Sequence, residues 1–193
     1  MHRSLGHRIA IVAVALVISA GIVAADAART APRPPLDPRN APLAFSLGRW
    51  ICHGQYETVP PFTVAHAVIA TFHVTPEVAG EWITGDYDEF ASSNGFVLSL
   101  DDSFAIDPFV PGAGLRTFVD STSGQFQGGF AIEGDRFEFS GTYVLAHTPV
   151  PFTETLVKLS DRVFTTEARV VLGGAPTVFH RQRCVKVSDR ASD

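Results

Sequence analysis

Cysteine, methionine and tryptophan are scarce in this chain of 193 residues, which contains two, one and two of them respectively. The sequence has no paired-cysteine, His-Glu-x-x-His or aspartate-rich calcium pattern, so it predicts no metal site. It also lacks a Gly-x-Ser-x-Gly nucleophile motif and a glycine-rich phosphate loop between a strand and a helix. We therefore expect no cofactor, and no motif identifies a reaction.

Positive charge is sparse as well. Lysine and arginine number 15 against 20 aspartate and glutamate residues, which gives a formal net charge of −5. A mildly acidic surface without basic clusters argues against nucleic acid or an anionic membrane as the partner. No apolar run after residue 27 is long enough to span a bilayer, so we expect no stable membrane span in the mature chain.

The N-terminus has the features of an export signal. Arg3 and Arg8 precede and open an apolar stretch over residues 9–23, and the small-x-small sequence of residues 25–27 follows it. This order predicts a cleavable signal peptide over residues 1–27, with an uncleaved anchor as the alternative. The predicted location is periplasmic or extracellular.

The two cysteines follow from that location. In an oxidising compartment, Cys52 and Cys184 are expected to form one disulfide, and two reduced buried thiols are the alternative. The loop closed by this bridge is long, so the chain-entropy description predicts a stabilisation of about 4–5 kcal/mol as an upper guide.

The remainder divides into a linker, one domain and a short tail. Residues 28–42 hold five prolines among small and polar residues, which favours a linker or an extended arm. Residues 43–187 are predicted to form a single domain, whose first five residues have the composition of a helical turn that plugs one end. Residues 188–193 form a C-terminal tail.

The domain reads as strand, turn, strand throughout. No segment after residue 48 keeps a 3.6-residue apolar period over three turns, and glycine, proline and asparagine mark the turns. The pattern predicts an all-β fold, a single antiparallel β-barrel of about ten strands. The predicted strands cover residues 50–57, 65–74, 80–90, 96–105, 114–121, 124–133, 136–147, 153–159, 162–172 and 177–187. A turn is predicted at residues 149–151, which are Pro-Val-Pro.

Alternation identifies candidates for the barrel interior. Over residues 136–147, Phe137, Phe139, Tyr143 and His147 share one face, while arginine, glutamate, serine and threonine occupy the other. Parity groups His180 with Cys184, and Trp50 and Tyr56 with Cys52, so an inward disulfide places these residues inside. The predicted ligand-binding candidates in the lumen are Trp50, Tyr56, Trp82, Phe139, Tyr143 and His180.

Histidines and carboxylates provide no clear catalytic set. His66 and His73 are seven residues apart, so they fall on opposite faces of a strand and cannot share a metal ion. The carboxylates cluster at 86–89 and 101–107, where solvated strand edges are expected. The alternative is that carboxylates in the lumen act with His180 as acid and base.

The stretch from Gly48 to Gly54, Gly-Arg-Trp-Ile-Cys-His-Gly, resembles the opening of calycin-like and lipocalin-like barrels. With Glu81-Trp82 and Arg183-Cys184, it is similar to a bacterial family of secreted barrels of unknown function. That resemblance covers roughly residues 43–187 and implies the barrel and the disulfide, but no reaction.

A second resemblance is to nitrobindin, a ten-stranded heme barrel that also opens with Gly-x-Trp. It implies heme binding through a histidine in a late strand, whose counterpart here is His180. The Tyr-Pro-Thr continuation of that family is absent, because Tyr56 is followed by Glu-Thr-Val-Pro.

Three functional hypotheses follow. The leading one is a non-catalytic exported barrel that binds a small apolar molecule or serves the envelope as an accessory protein. The second is a barrel enzyme, an isomerase, cyclase or hydrolase, that uses lumen carboxylates and His180. The third is heme binding through His180.

Overall fold

The structure, a computed structural model, describes residues 34–189. They form ten β-strands and two short 3₁₀ helices, Pro38–Ser46 and Val78–Gly80. The strands are β1 (Gly48–Tyr56), β2 (His66–Glu77), β3 (Trp82–Ser92), β4 (Ser99–Ile106), β5 (Ala113–Asp120), β6 (Gln125–Glu133), β7 (Arg136–Leu145), β8 (Thr148–Ser160), β9 (Val163–Leu172) and β10 (Ala175–Ser188).

The ten strands form a closed antiparallel barrel. Each strand pairs with its neighbours in sequence, and β1 closes the sheet by pairing with β10. Closure leaves no exposed sheet edge, which removes the usual risk of edge-to-edge aggregation. The predicted all-β class and the ten-stranded barrel are confirmed.

The hairpin between β7 and β8 turns earlier than predicted. Ala146 and His147 both have positive φ angles, 47° and 65°, as the central residues of a two-residue hairpin turn do. Pro149 and Pro151 therefore lie inside β8 and not in a turn. They are tolerated because β8 pairs only with β7 there, and its register with β9 starts at Phe152.

The predicted disulfide is present between Cys52 and Cys184, where the barrel closes. The two residues are direct partners in the register of β1 and β10, and both side chains are fully buried. The bridge thus joins the first and last strands across a sequence separation of 132 residues. A disulfide of this kind is typical of proteins outside the reducing cytosol.

The helix Pro38–Ser46, which we call the plug helix, closes one end of the barrel. Leu43 and Phe45 are buried in the barrel core, and the Trp50 indole nitrogen donates to the Ser46 carbonyl at 2.7 Å. Residues 38–42, predicted as part of a linker, therefore belong to the domain. The reason is Asn40, which is 1% exposed and hydrogen bonded to the strands and the second helix.

Two further observations bear on the predictions from sequence. Within residues 34–189, no helix combines the length and the apolar character needed to cross a membrane. The predicted signal peptide, residues 1–27, lies outside the described residues, as does most of the predicted C-terminal tail.

Candidate ligand-binding site in the barrel lumen

Alternate side chains of every strand point into the barrel, where they form two apolar clusters. The lower cluster surrounds Trp50 and Phe164 beside the plug helix. The upper cluster surrounds Phe152 and Val170, and Val59 from the β1–β2 loop packs into it. The two clusters lie at opposite ends of the lumen.

Five polar residues separate the clusters, and we call them the polar layer. Each of them points into the lumen at the middle of its strand. The next inward side chain on one side lies towards the lower cluster, and the next on the other side lies towards the upper cluster. In β4, for example, Asp102 lies between Phe104 and Leu100, and in β9, Thr166 lies between Phe164 and Ala168. The polar layer consists of Asp102, Arg116, Glu154, Thr166 and Gln182.

A cavity of about 120 Å³ lies at this level of the lumen. All five residues of the polar layer line it, together with Tyr56, His180 and phenylalanines from both clusters. The cavity therefore combines apolar walls with a few polar groups, which is the usual composition of a small-molecule site.

Arg116 is the charged centre of the polar layer. Its guanidinium donates to both carboxylate oxygens of Asp102, at 3.1 and 3.0 Å from Nε, and Nη1 donates to Glu154. Burial raises the pKa of Asp102, and Arg116 opposes that shift. Burial lowers the pKa of Arg116, but the two carboxylates raise it by more. The net effect is a raised pKa, so the guanidinium stays charged.

Aromatic rings support this guanidinium from the apolar side. Its central carbon lies 4.4 Å from the ring centre of Phe139 and 5.3 Å from that of Phe118. Such cation–π contacts favour a desolvated arginine. They also fix the direction in which Arg116 donates its hydrogen bonds, towards the two carboxylates.

Tyr56 forms the centre of an aromatic stack near the upper cluster. Its ring stacks on His66 at 4.7 Å on one side and on His180 at 4.3 Å on the other. Gly54 makes room for the His180 ring, because a Cβ at this position would come within 2.6 Å of its Nε2 atom. Burial lowers the pKa of His180 to about 4, so the imidazole is neutral at pH 7.

A second buried carboxylate, Glu89, lies beside this stack. Glu89 accepts a hydrogen bond from the Tyr56 hydroxyl at 2.8 Å and one from the Leu98 backbone nitrogen at 2.8 Å, and Tyr87 contacts the same carboxylate at 3.4 Å. Burial raises the pKa of Glu89, and these hydrogen bonds oppose the shift. Burial also raises the pKa values of Tyr56 and Tyr87, so both phenols remain protonated donors.

Three buried polar atoms of the cavity lining have no hydrogen-bond partner among residues 34–189. They are Nε2 of His180, Oε1 of Gln182 and Oγ1 of Thr166. Gln182 and Thr166 are direct partners in the register of β10 and β9, and His180 is the next inward residue of β10. Buried polar atoms in native proteins nearly always have partners, so this group is the most unusual feature of the lumen.

Four of the six predicted lumen residues line this cavity: Tyr56, Phe139, Tyr143 and His180. Trp50 also points inward, but it is 0% exposed within the lower cluster and serves to hold the plug helix. Trp82 is only half-buried and alternates with the buried Ile83, so it faces away from the lumen. The odd-numbered residues of β3 point inward. A single tryptophan at the start of the strand does not show which set of alternate residues is the inward one.

The prediction from sequence missed the polar layer. Asp102 and Glu89 belong to acidic clusters that were expected to be solvated, yet they are 3% and 5% exposed, whereas their neighbours Asp86, Asp88 and Asp101 are exposed. Strand parity was the available signal, since Asp102 alternates with the buried Phe104. His66 and His73 lie on opposite faces of β2, as predicted, and His66 is the buried one of the two.

The cavity is smaller than the roughly 300–1,000 Å³ of sites for larger ligands, and Nε2 of His180 lies close to Gly54. Among the residues that the structure describes, no group of three or more histidine, cysteine, aspartate or glutamate side chains is placed to hold a metal ion.

Comparison with solved structures identifies the architecture. Rv2717c from M. tuberculosis superposes with a TM-score of 0.62 and 14% sequence identity, over 80% of this chain and all of that one. An S-type phycobiliprotein lyase, CPES from Guillardia theta, superposes with a TM-score of 0.53 and 12% identity, over 75% and 89% of the two chains. The fold is that of a calycin-like barrel.

At these identities, the likeness establishes the fold alone. No protein-family model matches the sequence, and a search of curated proteins finds no match. The fold does not determine the function, since closed barrels of one architecture host many activities.

Proposed function

We propose that this barrel binds one small organic molecule in its lumen and that it does so without catalysing a reaction. The phenylalanine walls hold an apolar body, and the polar layer holds a polar group of the ligand. The observation that carries the proposal is the set of unpartnered atoms of His180, Gln182 and Thr166 around one cavity. An unsatisfied buried polar group costs about 1–3 kcal/mol, and a bound molecule supplies the missing partners.

The size of the cavity limits the ligand. A dry apolar cavity of roughly 150 Å³ accommodates a benzene molecule. At about 120 Å³, this lumen is slightly smaller, so it suits a short chain, or one small ring after small movements of the lining side chains. A larger apolar molecule or a heme would fit only if the phenylalanine side chains that line the cavity moved.

A second candidate function is acid–base catalysis, favoured by the presence of Glu154 and His180 on the same cavity. His180 is neutral at pH 7 and therefore able to accept a proton. This function is tested by incubating the protein with any molecule extracted from it and measuring conversion by mass spectrometry. Conversion that is lost in His180→Phe supports the enzyme, and unchanged substrate contradicts it.

We also propose that the protein works in the periplasm or outside the cell, as a member of the secreted barrel family that the Gly-x-Trp-x-Cys opening resembles. The signal-like residues 1–27 and the Cys52–Cys184 bridge support this location. N-terminal sequencing of the mature protein tests it. A mature chain that begins near residue 26 or 28 supports export, and an intact N-terminus in the cytosolic fraction contradicts it.

The binding proposal is tested by native mass spectrometry on protein purified from its own compartment without detergent. We expect a small added mass that is released on denaturation and identified in the extract. The matched control is Ala168→Leu, which places extra methyl groups into the cavity and should carry no added mass. An added mass that persists in Ala168→Leu would place the ligand outside the lumen and contradict the proposal.

A further inference from the structure

The hydrogen-bond directions in the lumen indicate what kind of polar group the ligand carries. We propose that the ligand of the cavity is a small, uncharged or weakly basic molecule that donates hydrogen bonds through a hydroxyl or amino group, and that anions are excluded. This inference rests on the proposed binding function and specifies the class of ligand.

The arginine and tyrosine donors of the lumen are already engaged with carboxylates. Arg116 donates to Asp102 and Glu154, Tyr56 donates to Glu89 at 2.8 Å, and Tyr143 donates to Asp120. A ligand that only accepts hydrogen bonds would compete with carboxylates for these donors. Charge-assisted hydrogen bonds are stronger than neutral ones, so that competition is unfavourable.

The atoms without partners differ from these donors, because one of them only accepts hydrogen bonds and another both accepts and donates. Oε1 of Gln182 is an acceptor, and the Thr166 hydroxyl accepts hydrogen bonds as readily as it donates. The two residues are paired across β10 and β9, so a single amino or hydroxyl group reaches both. The neutral His180 ring adds a third polar atom one inward position away.

Charge in the lumen points the same way. Glu154 and Asp102 share one guanidinium, so this buried group has one more carboxylate than cation. The other inward cations, Lys158 and Lys186, lie outside the cavity lining and pair with Asp161 and Asp189. An anion in this cavity would meet no free cation within residues 34–189, and a buried unpaired charge is costly.

The test compares four probes of similar size on the full chain. Aniline donates hydrogen bonds, toluene has no polar group, benzaldehyde only accepts, and benzoate is an anion. Affinities come from NMR titration of the ¹⁵N-labelled protein, following the amides of β9 and β10. We expect aniline to bind about tenfold more tightly than toluene or benzaldehyde, the effect of one to two net hydrogen bonds, and benzoate to bind most weakly.

Two isosteric variants show which hydroxyl is responsible. Thr166→Val removes the inward hydroxyl and should bring the affinity for aniline close to that for toluene, with toluene itself unchanged. Thr165→Val makes the same change on the outward face of β9 and should alter neither affinity. Gln182→Met provides a second removal of an acceptor, with the same expected loss for aniline.

The outcomes separate the two proposals. If toluene, benzaldehyde or benzoate binds as tightly as aniline, the cavity is a binding site but the donor class is wrong. If Thr166→Val leaves the aniline preference intact, the assignment to this pair of strands is wrong. If none of the four probes shifts the lumen amides, the binding function itself fails, and this inference fails with it.

Discussion

Among single side chains, Arg116 is the cation that neutralises the two buried carboxylates of the lumen, Asp102 and Glu154. Its side chain is 11% exposed and that of Asp102 only 2%, so neither charge is well solvated. We expect Arg116→Met to lower the free energy of unfolding by about 3–5 kcal/mol at pH 7, because it leaves buried carboxylates without their cation. Urea denaturation measures this loss.

The matched control replaces the whole charged group. In Arg116→Met/Asp102→Leu/Glu154→Leu, no buried charge remains, and apolar side chains of similar volume often replace such groups at little cost. We expect the triple variant to recover most of the lost stability. A triple variant less stable than Arg116→Met would show that the ion pairs stabilise the protein by more than the desolvation of their charges costs.

His180 makes a separate prediction about pH. Its pKa falls from 6.5 to about 4 in the folded protein, so the unfolded chain takes up a proton first as the pH drops. Stability from this group is therefore complete above pH 6.5 and is lost between pH 6.5 and 4, by about 3 kcal/mol in total. The nearby Glu89 and Asp102, with raised pKa values, act in the opposite direction.

Comparison with His180→Phe isolates this effect, since the carboxylates are common to both proteins. We expect the stability of His180→Phe relative to the wild type to rise steadily as the pH falls from 7 to 4. Unfolding curves at a series of pH values measure the difference. A difference that does not change with pH would mean that His180 is not the buried neutral imidazole described here.

Among the elements, β1 and β10 depend most on a covalent link. The Cys52–Cys184 bridge crosses the pair that closes the barrel, and 132 residues separate its ends. We expect Cys52→Ala/Cys184→Ala to lower the free energy of unfolding by about 2–5 kcal/mol, mainly because the unfolded chain gains freedom. The double variant should also become insensitive to reductant, whereas the wild type under reducing conditions should approach it. Equal stability of the wild type with and without reductant would contradict this role.

The plug helix depends on one polar residue. The Asn40 amide nitrogen donates to the carbonyls of Gly80 and Glu81 at 3.0 and 2.8 Å, and its oxygen accepts from the Ile106 backbone nitrogen at 3.0 Å. We expect Asn40→Ala to cost about 2–3 kcal/mol in thermal or urea unfolding, because buried backbone groups lose their partners. The exposed neighbour Arg39→Ala should cost far less, because ion pairs at the surface contribute little to stability. Similar costs for the two variants would mean that the helix is not anchored through Asn40.

The sequence predicted the strands and turns correctly only where residues close in sequence determine the structure. The alternation of Phe137, Phe139 and Tyr143 in β7 identified their inward face correctly. Proline content misled twice, placing a turn at 149–151 and a linker over 38–42. In the first segment, the hairpin pairing of Pro149 with Val144 overrides the local preference, and in the second, the hydrogen bond from Asn40 to the distant Gly80 does so.

At the scale of the whole molecule, the polar layer was beyond prediction because it exists only when the barrel closes. Asp102, Arg116 and Glu154 come from β4, β5 and β8, and their meeting depends on the stagger of all strands around the barrel. Parity shows that each residue points inward, but it does not show which inward residues share a level. Tyr56 and Tyr143 were found because alternation within β1 and β7 identifies the inward positions of a single strand.

The lumen is apolar at both ends and polar in the middle, and a ligand in its cavity is the central claim. The most direct test is a high-resolution crystal structure of the mature protein grown in the presence of aniline. We expect density for one ring among the phenylalanines, with its amino group within hydrogen-bond distance of Gln182 and Thr166. A lumen filled by its own side chains, with Gln182 and Thr166 bonded to each other and no space for a ring, would contradict it.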